Sequence, residues 1–193
     1  WERMGLKDSQ HIGKILIDPR NRGVVLVAAE GPLWSAGGER GVYRSEDGGK
    51  TWKATLVIDE NTGVTDLEFA PDDPNTVYAA AYQRRRQIAG FMGGGPNSGL
   101  HKSEDGGKTW RKITTGLPEG DMGKIGIAVT AADPTLVYAT IEANEKERGF
   151  YRSRDRGESF EKRNSYISGG TGPHYYQEIE ASPAGGEGSF VGR

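Results

Sequence analysis

Short strand-like runs of alternating apolar and polar residues, broken by Pro, Asp, Asn and Gly turns, organise this chain. Ile15 to Pro19 is followed by Val24 to Ala29, and the same phrase returns as Leu67 to Pro71 with Thr76 to Ala81, then as Ile127 to Ala131 with Leu136 to Ile141. Each phrase reads as two strands joined by a turn. A third run, Gly41 to Arg44 in its first copy, leads into the octet Ser45 to Trp52, and Lys53 to Ile58 follows as a fourth strand, so the Asp-Gly-Gly of the octet reads as the hairpin turn between them. The octet recurs unchanged as Ser103 to Trp110 and in altered form as Ser153 to Phe160, at spacings of 58 and 50 residues.

A period of that length is too long for ankyrin or tetratricopeptide units and suits the four short strands of one propeller blade. The predicted fold is all-β: a β-propeller fragment of about three four-stranded antiparallel blades, at residues 10–59, 61–117 and 123–165, with partial blade strands at both ends. Trp1-Glu2-Arg3 matches the residues that open the strand after each octet, so residues 1–6 are expected to be the outer strand of a preceding blade. Residues 173–193 are expected to supply inner strands of a further blade, the first at Tyr175 to Ser182 and the second near Gly188 to Gly192. Three blades leave two open sheet edges, which invite pairing with another copy. A homodimer closing into an eight-bladed ring is the expected association, with four-bladed self-closure as its alternative.

Composition fits this architecture and narrows the chemistry. The 30 glycines among 193 residues suit an all-β chain with many tight turns, and no long helix is expected. A net charge of -2 gives no general attraction to nucleic acid or to an anionic membrane. The absence of cysteine excludes disulfides, thiol catalysis and cysteine-ligated metal. No apolar run approaches the length of a membrane span, and no secretory signal opens the sequence. Three histidines, His11, His101 and His174, lack ligand spacing, and no phosphate-binding loop or nucleophile elbow occurs, so neither cofactor nor metal is expected.

In the octets, Asp47, Asp105 and Asp155 are expected to hold the turn by accepting backbone N–H groups two residues on, with Gly49, Gly107 and Gly157 at positive φ. The hydroxyls of Ser45, Thr51, Ser103, Thr109, Ser153 and Ser159 are expected to cross-bond the hairpin arms. Trp52, Trp110 and Phe160 would then fill the space between neighbouring sheets. One carboxylate per turn is too few ligands for calcium. By strand parity the first and third connections share one face of the propeller, so the longer second connections, and any binding surface, lie on the opposite one.

Those second connections are residues 30–40 and 83–98. Trp34 and Phe91 read as aromatic platforms for a sugar ring or a peptide side chain, or as caps on the core. Arg84, Arg85 and Arg86 read as a site for a carboxylate or phosphate, or as a solvated face. Inter-blade connections add His174 to this face, and the neighbouring Tyr176 and Glu178, alternate along one strand, could pair as in a tyrosine-nucleophile glycosidase.

The Ser-x-Asp-x-Gly-x-Thr-Trp pattern resembles the Asp-box, or bacterial neuraminidase repeat. Together with Gly31 to Ser35, Ala80 to Arg86 and His174 to Ile179, it makes the chain similar to large bacterial propeller proteins of sortilin-type or glycosyl-hydrolase-like description. That resemblance implies a repeat scaffold and an exported parent. It does not extend to sialidase chemistry, because the Arg-Ile-Pro phrase is missing and the arginines stand together instead of apart. The reading is a non-catalytic binding or interaction scaffold able to self-associate, with a glycan or peptide as ligand; the alternative is a part of a carbohydrate-active enzyme.

Overall fold

The computed structural model describes residues 2–167 and 178–182, and the backbone of 190–192. Its first sheet runs β1 (Ile12–Ile17), β2 (Val25–Ala29), β3 (Gly41–Ser45) and β4 (Lys53–Leu56), each strand antiparallel to the next. The second contains β5 (Thr62–Ala70), β6 (Asp73–Gln87), β8 (Gly99–Ser103) and β9 (Arg111–Ile113), with β7 (Gly90–Gly93) paired to the far end of β6. The third contains β10 (Ile125–Val129), β11 (Val137–Ile141), β12 (Gly149–Ser153) and β13 (Glu161–Asn164). A last pair, β14 (Ile179–Ala181) and β15 (Phe190–Gly192), begins a fourth sheet. The described residues contain no helix.

The repeat is kept at the level of register. Ile15 lies opposite Val27 and Val27 opposite Tyr43; Leu67, Ala79 and His101 form the matching row of the second sheet, and Ile127, Ala139 and Tyr151 that of the third. Since successive side chains face opposite ways, one row of each sheet looks back at the preceding blade and the adjacent row looks forward. Leu26, Ala28, Val42 and Leu56 of the first blade meet Leu67, Val77 and Ala79 of the second in one core cluster. Tyr78, Ala80, Leu100 and Ile113 of the second meet Ile127, Ala139, Tyr151 and Phe160 of the third in another. The strands β1, β5, β10 and β14 lie side by side in that order and form the inner wall.

Gly41, at the start of β3, cannot be replaced by another residue without rearrangement. Its φ is +112°, and a Cβ there would stand 1.9 Å from the carbonyl oxygen of Leu56. The third strand therefore passes too close to the end of the fourth for any side chain.

The three boxes share one hydrogen-bond pattern. Ser45 Oγ donates to Asp47 Oδ1 at 2.8 Å and accepts from Gly49 N at 2.8 Å, while Thr51 N and Thr51 Oγ1 donate to the two carboxylate oxygens at 2.9 and 2.7 Å. Ser103, Asp105, Gly107 and Thr109 repeat these bonds, as do Ser153, Asp155, Gly157 and Ser159. This corrects the expected wiring: the aspartate accepts N–H groups three and four residues on, and both hydroxyls converge on it instead of crossing between the arms. The loop is wide enough to close on its own carboxylate, and a charged acceptor strengthens every bond to it. Hydrogen bonds from Thr51 hold the Asp47 carboxyl down at about 2; at Asp105 and Asp155 burial opposes the shift, but the bonds from Thr109 and Ser159 bring them to about 2 as well. The boxes thus contribute stability that is present above the unfolded-chain value of 3.8 and is lost as pH falls toward 2. In the third box Arg156 occupies the first glycine position at φ 58°, a left-handed conformation that costs a non-glycine residue about 1–2 kcal/mol.

The aromatic residue that ends each box points to the preceding blade. Phe160 is buried in the cluster between the second and third blades, and its N–H donates to Thr115 O at 3.0 Å. Trp110 packs against the cluster between the first and second, with Nε1 donating to Thr55 Oγ1 at 3.2 Å. Trp52 makes the corresponding bond to Met4 O at 2.6 Å. Residues 2–6 thereby take the place beside Trp52 that β4 takes beside Trp110, but they form no strand. No third strand runs alongside them among the described residues, so their backbone has no ladder to join.

Candidate functional site

Repeated bonds divide the molecule into two faces. Gly48 N donates to Gly23 O, Gly106 N to Asn75 O and Arg156 N to Thr135 O, at 2.8–2.9 Å, so each box touches the first connection of its own blade or, in the second, the start of the strand that leaves it. Residues 30–40 and the β6–β7 hairpin lie on the other face, as strand parity requires.

The first-blade loop is wound around Arg40. Its buried guanidinium donates to Gly37 O at 2.9 Å, Glu30 O at 2.7 Å and Ser35 O at 2.8 Å, and also to Pro32 O. Four loop carbonyls are satisfied by one fork. With its backbone held from inside, the loop turns Trp34 outward, 65% exposed. Sequence reading passed over Arg40, whose isolation among Gly and Glu gave no pattern to notice.

The second connection of the second blade is a hairpin, not an open loop. β6 continues through the three arginines and pairs Arg84 with Gly93, Arg85 with Met92 and Arg86 with Phe91. Pleating turns Arg85 away from the other two, and separate partners divide the rest: Arg84 forms an ion pair with Glu30 at 2.6 Å, Arg85 Nη1 donates to Asn61 Oδ1 at 3.2 Å, and the Arg86 guanidinium lies 5.3 Å from the centre of the Phe91 ring. The three do not converge on one anion. Arg86 N donates to Leu33 O at 2.7 Å, which joins the hairpin to the loop that carries Trp34. The resulting surface presents Trp34, Ile88 and Phe91, all exposed. Beside it, Phe91, Met92, Asp121 and Glu142 line an open recess of about 390 Å³ toward the third blade.

Glu178 belongs elsewhere. It reaches Lys124 at 2.6 Å in a cavity of about 280 Å³ enclosed by the inner strands, where Lys14, Asp66, Glu68 and Glu180 also stand. His174 and Tyr176 lie outside the described residues. Lys14 bridges Glu68 at 2.8 Å and Asp66 at 3.8 Å. Burial pushes the Asp66 carboxyl up to about 6, with Lys14 opposing and Glu68 reinforcing the shift, while N–H groups of Leu67 and Ile127 donate to it at 2.9 and 3.1 Å. A folded value above the unfolded 3.8 means that this group's contribution is fully present below 3.8 and is lost as pH rises through about 6, the reverse of the boxes. Asp66 and Glu68 alternating with apolar residues in β5, with Lys14 in β1 and Glu180 in β14, were the available signal for this lining. Among the described residues no group of three His, Asp or Glu is placed to hold a metal ion.

The pattern recognised in known proteins is the box itself. The family described as BNR/Asp-box repeat matches residues 43–54, the first box with the ends of its flanking strands. The fold is an Asp-box β-propeller. No curated protein matches the chain in sequence. Among solved structures the propeller is similar to the GH74 xyloglucanase from Xanthomonas campestris, with a TM-score of 0.64 at 18% identity over 90% of this chain and 26% of that one. The GH74 enzyme from Niastella koreensis gives 0.62 at 18% identity, over 90% and 27%. An ancestral GH74 enzyme gives 0.59 at 19%, over 90% and 21%. The chain thus spans about a quarter of the length of the structures it resembles, and at these identities the likeness is one of fold.

Proposed function

We propose that this propeller is a non-catalytic binding scaffold whose loop face takes a glycan or a peptide. The observation that carries the reading is the division of labour on that face: Arg40, Arg84 and Arg85 are engaged in holding the loops, and the groups turned to solvent are Trp34, Ile88 and Phe91. Rigidly mounted aromatic surface suits stacking on a sugar ring or packing against an apolar side chain. Glycan and peptide arrays probed with the purified chain should give a ligand whose affinity falls at least about tenfold in Trp34→Ala. A ligand bound equally well by that variant would remove the loop face from consideration.

The second reading is a part of a carbohydrate-active enzyme. In its favour stand the carboxylates gathered in the central cavity, with Asp66 still half protonated at about pH 6. Turnover of an array-selected glycan, lost in Asp66→Asn, would establish it in place of the first.

Self-association is the further part of the proposal. Ile15 and Ile17 are 59% and 57% exposed on the backward face of the first blade. Their equivalents Leu67 and Phe69, and Ile127 and Val129, are packed into the clusters formed with the preceding blade. A second copy of the chain is the covering partner this proposal assigns to the first blade. Light scattering on the eluting protein should report a dimer that becomes monomeric when both isoleucines are changed to lysine. A strictly monomeric wild type at high concentration would end this part and leave the loop-face reading intact.

A further inference from the structure

The outer grooves between blades are built alike, except for one charge. On the forward face of each blade the last residue before the box and the first after it are cross-strand partners: Arg44 with Lys53, Lys102 with Arg111, Arg152 with Glu161. In the third blade the pair has opposite signs and approaches to 3.9 Å. In the first two it is two cations, an arrangement that disfavours the sheet unless an anion intervenes.

Between the second and third blades the anion is present. Glu158, from the box of the third blade, reaches Lys102 at 2.6 Å and also bridges Arg111, while Glu104 stands 3.4 Å from Lys102 and 3.9 Å from Arg111. Two cations are matched by two carboxylates, and the bonds from Lys102 hold the Glu158 carboxyl below its ordinary value.

Between the first and second blades the position of Glu158 is occupied by Lys108. The backbone of Lys108 is fixed there by its N–H bond to Asp105 Oδ1 at 2.9 Å. Arg44, Lys53 and Lys108, with Glu46, Thr51 and Thr55, line a groove of about 290 Å³. Trp52 completes the lining, in which Glu46 is the one acid and accepts from Arg44 Nη1 at 2.5 Å. Arg44 Nε donates to Gly106 O at 3.0 Å, which leaves Nη2 without a protein acceptor among the described residues; the same holds for the ammonium groups of Lys53 and Lys108. All three cations act on one carboxylate, since Glu46 is held down first by Arg44 and then by Lys108 and Lys53. Three cations against one acid leave the groove two charges positive where its neighbour is neutral.

We propose that this groove is an oxyanion-binding site in which a carboxylate, sulfate or phosphate group occupies the place that Glu158 fills one blade further on. Arg44 offers a fixed donor, largely shielded from solvent, and the two lysines close over the anion from either side. Thr51 and Thr55 are not recognition groups, because the hydroxyl proton of the first is given to Asp47 and that of the second to Val42 O, while Thr55 Oγ1 also accepts the Trp110 indole N–H.

The test is titration of the full chain with inorganic phosphate at low ionic strength, followed by calorimetry and by side-chain ammonium and guanidinium resonances. Wild type should bind one phosphate, and Lys108→Glu should bind it at least about tenfold more weakly, because the new carboxylate recreates the neutral groove. Glu158→Lys should gain a second phosphate site. A galacturonate oligosaccharide that competes with phosphate on wild type, but not on the Lys108→Glu variant, would assign the anion to an acidic polymer; phosphate binding without such competition would assign it to a free ion. Phosphate binding unchanged by Lys108→Glu, or the absence of saturation in wild type, would overturn the proposal. Trp34→Ala should leave phosphate binding unaltered, so the outcome is independent of the loop-face reading.

Discussion

Truncation of Phe160 to alanine should lower the unfolding free energy by about 3–5 kcal/mol, the usual cost of deleting a buried aromatic side chain. Its ring is 6% exposed and belongs to the cluster that joins the second and third blades, so the cavity opens where two rigid sheets meet and neither can fold into it. The comparison that gives this number meaning is Trp52→Ala. The equivalent indole leans on residues 2–6, which form no strand, and its removal should cost roughly 1 kcal/mol, within the range of ordinary substitutions. Urea unfolding of the two variants against wild type measures both. Equal losses would mean that the box aromatic stabilises its own hairpin, and the account of it as a wedge between blades would fail.

Gly41→Ala is expected to be comparably severe, on the order of 3 kcal/mol, through a different mechanism. Alanine at φ +112° is strained in any surroundings, and here the added methyl would collide with Leu56 O, a backbone atom held by the β3–β4 ladder. Gly37→Ala is the control. Its φ of +76° is also left-handed, yet nothing lies within 4 Å of the added carbon, so it should cost only about 1 kcal/mol. Thermal unfolding that showed the two variants equally stable would mean that the third and fourth strands separate freely and that the close approach imposes no constraint.

The parts of this propeller that were legible in its sequence are those made by residues close together along the chain. A box is closed by bonds spanning two to four residues, so three copies of one octet announce three hairpins, and even the altered copy with Arg156 and Glu158 folds the same way. The two faces followed from counting strands. The detailed wiring of the box did not, because several acceptors lie within reach of each donor, and only the final curvature of the turn selects among them.

The loop face shows the limit from the other side. Arg84, Arg85 and Arg86 look like one cluster when written in a row, but they lie on a strand whose pleat turns the middle one away, and Glu30, Asn61 and the ring of Phe91 each engage one of them. The extension of β6 was hidden because arginine is indifferent to strand or loop, and the partner that decides, β7, is a glycine-flanked segment with little preference of its own. Arg40 and the cavity lined by Lys14, Asp66 and Glu68 escaped notice for a related reason: their importance lies in what surrounds them.

By itself the sequence determined the repeat unit, its four strands, its box and the side of each blade on which the longer connections emerge, because these depend on alternation and on contacts a few residues long. The tertiary structure alone decided which charges meet. Lys108 and Glu158 hold the same place in their boxes, and each faces cations contributed by the blade before it, about fifty residues earlier. Electrostatic energy depends on distance in space, and distance between blades is set by the packing of their apolar faces, which no local stretch of chain contains.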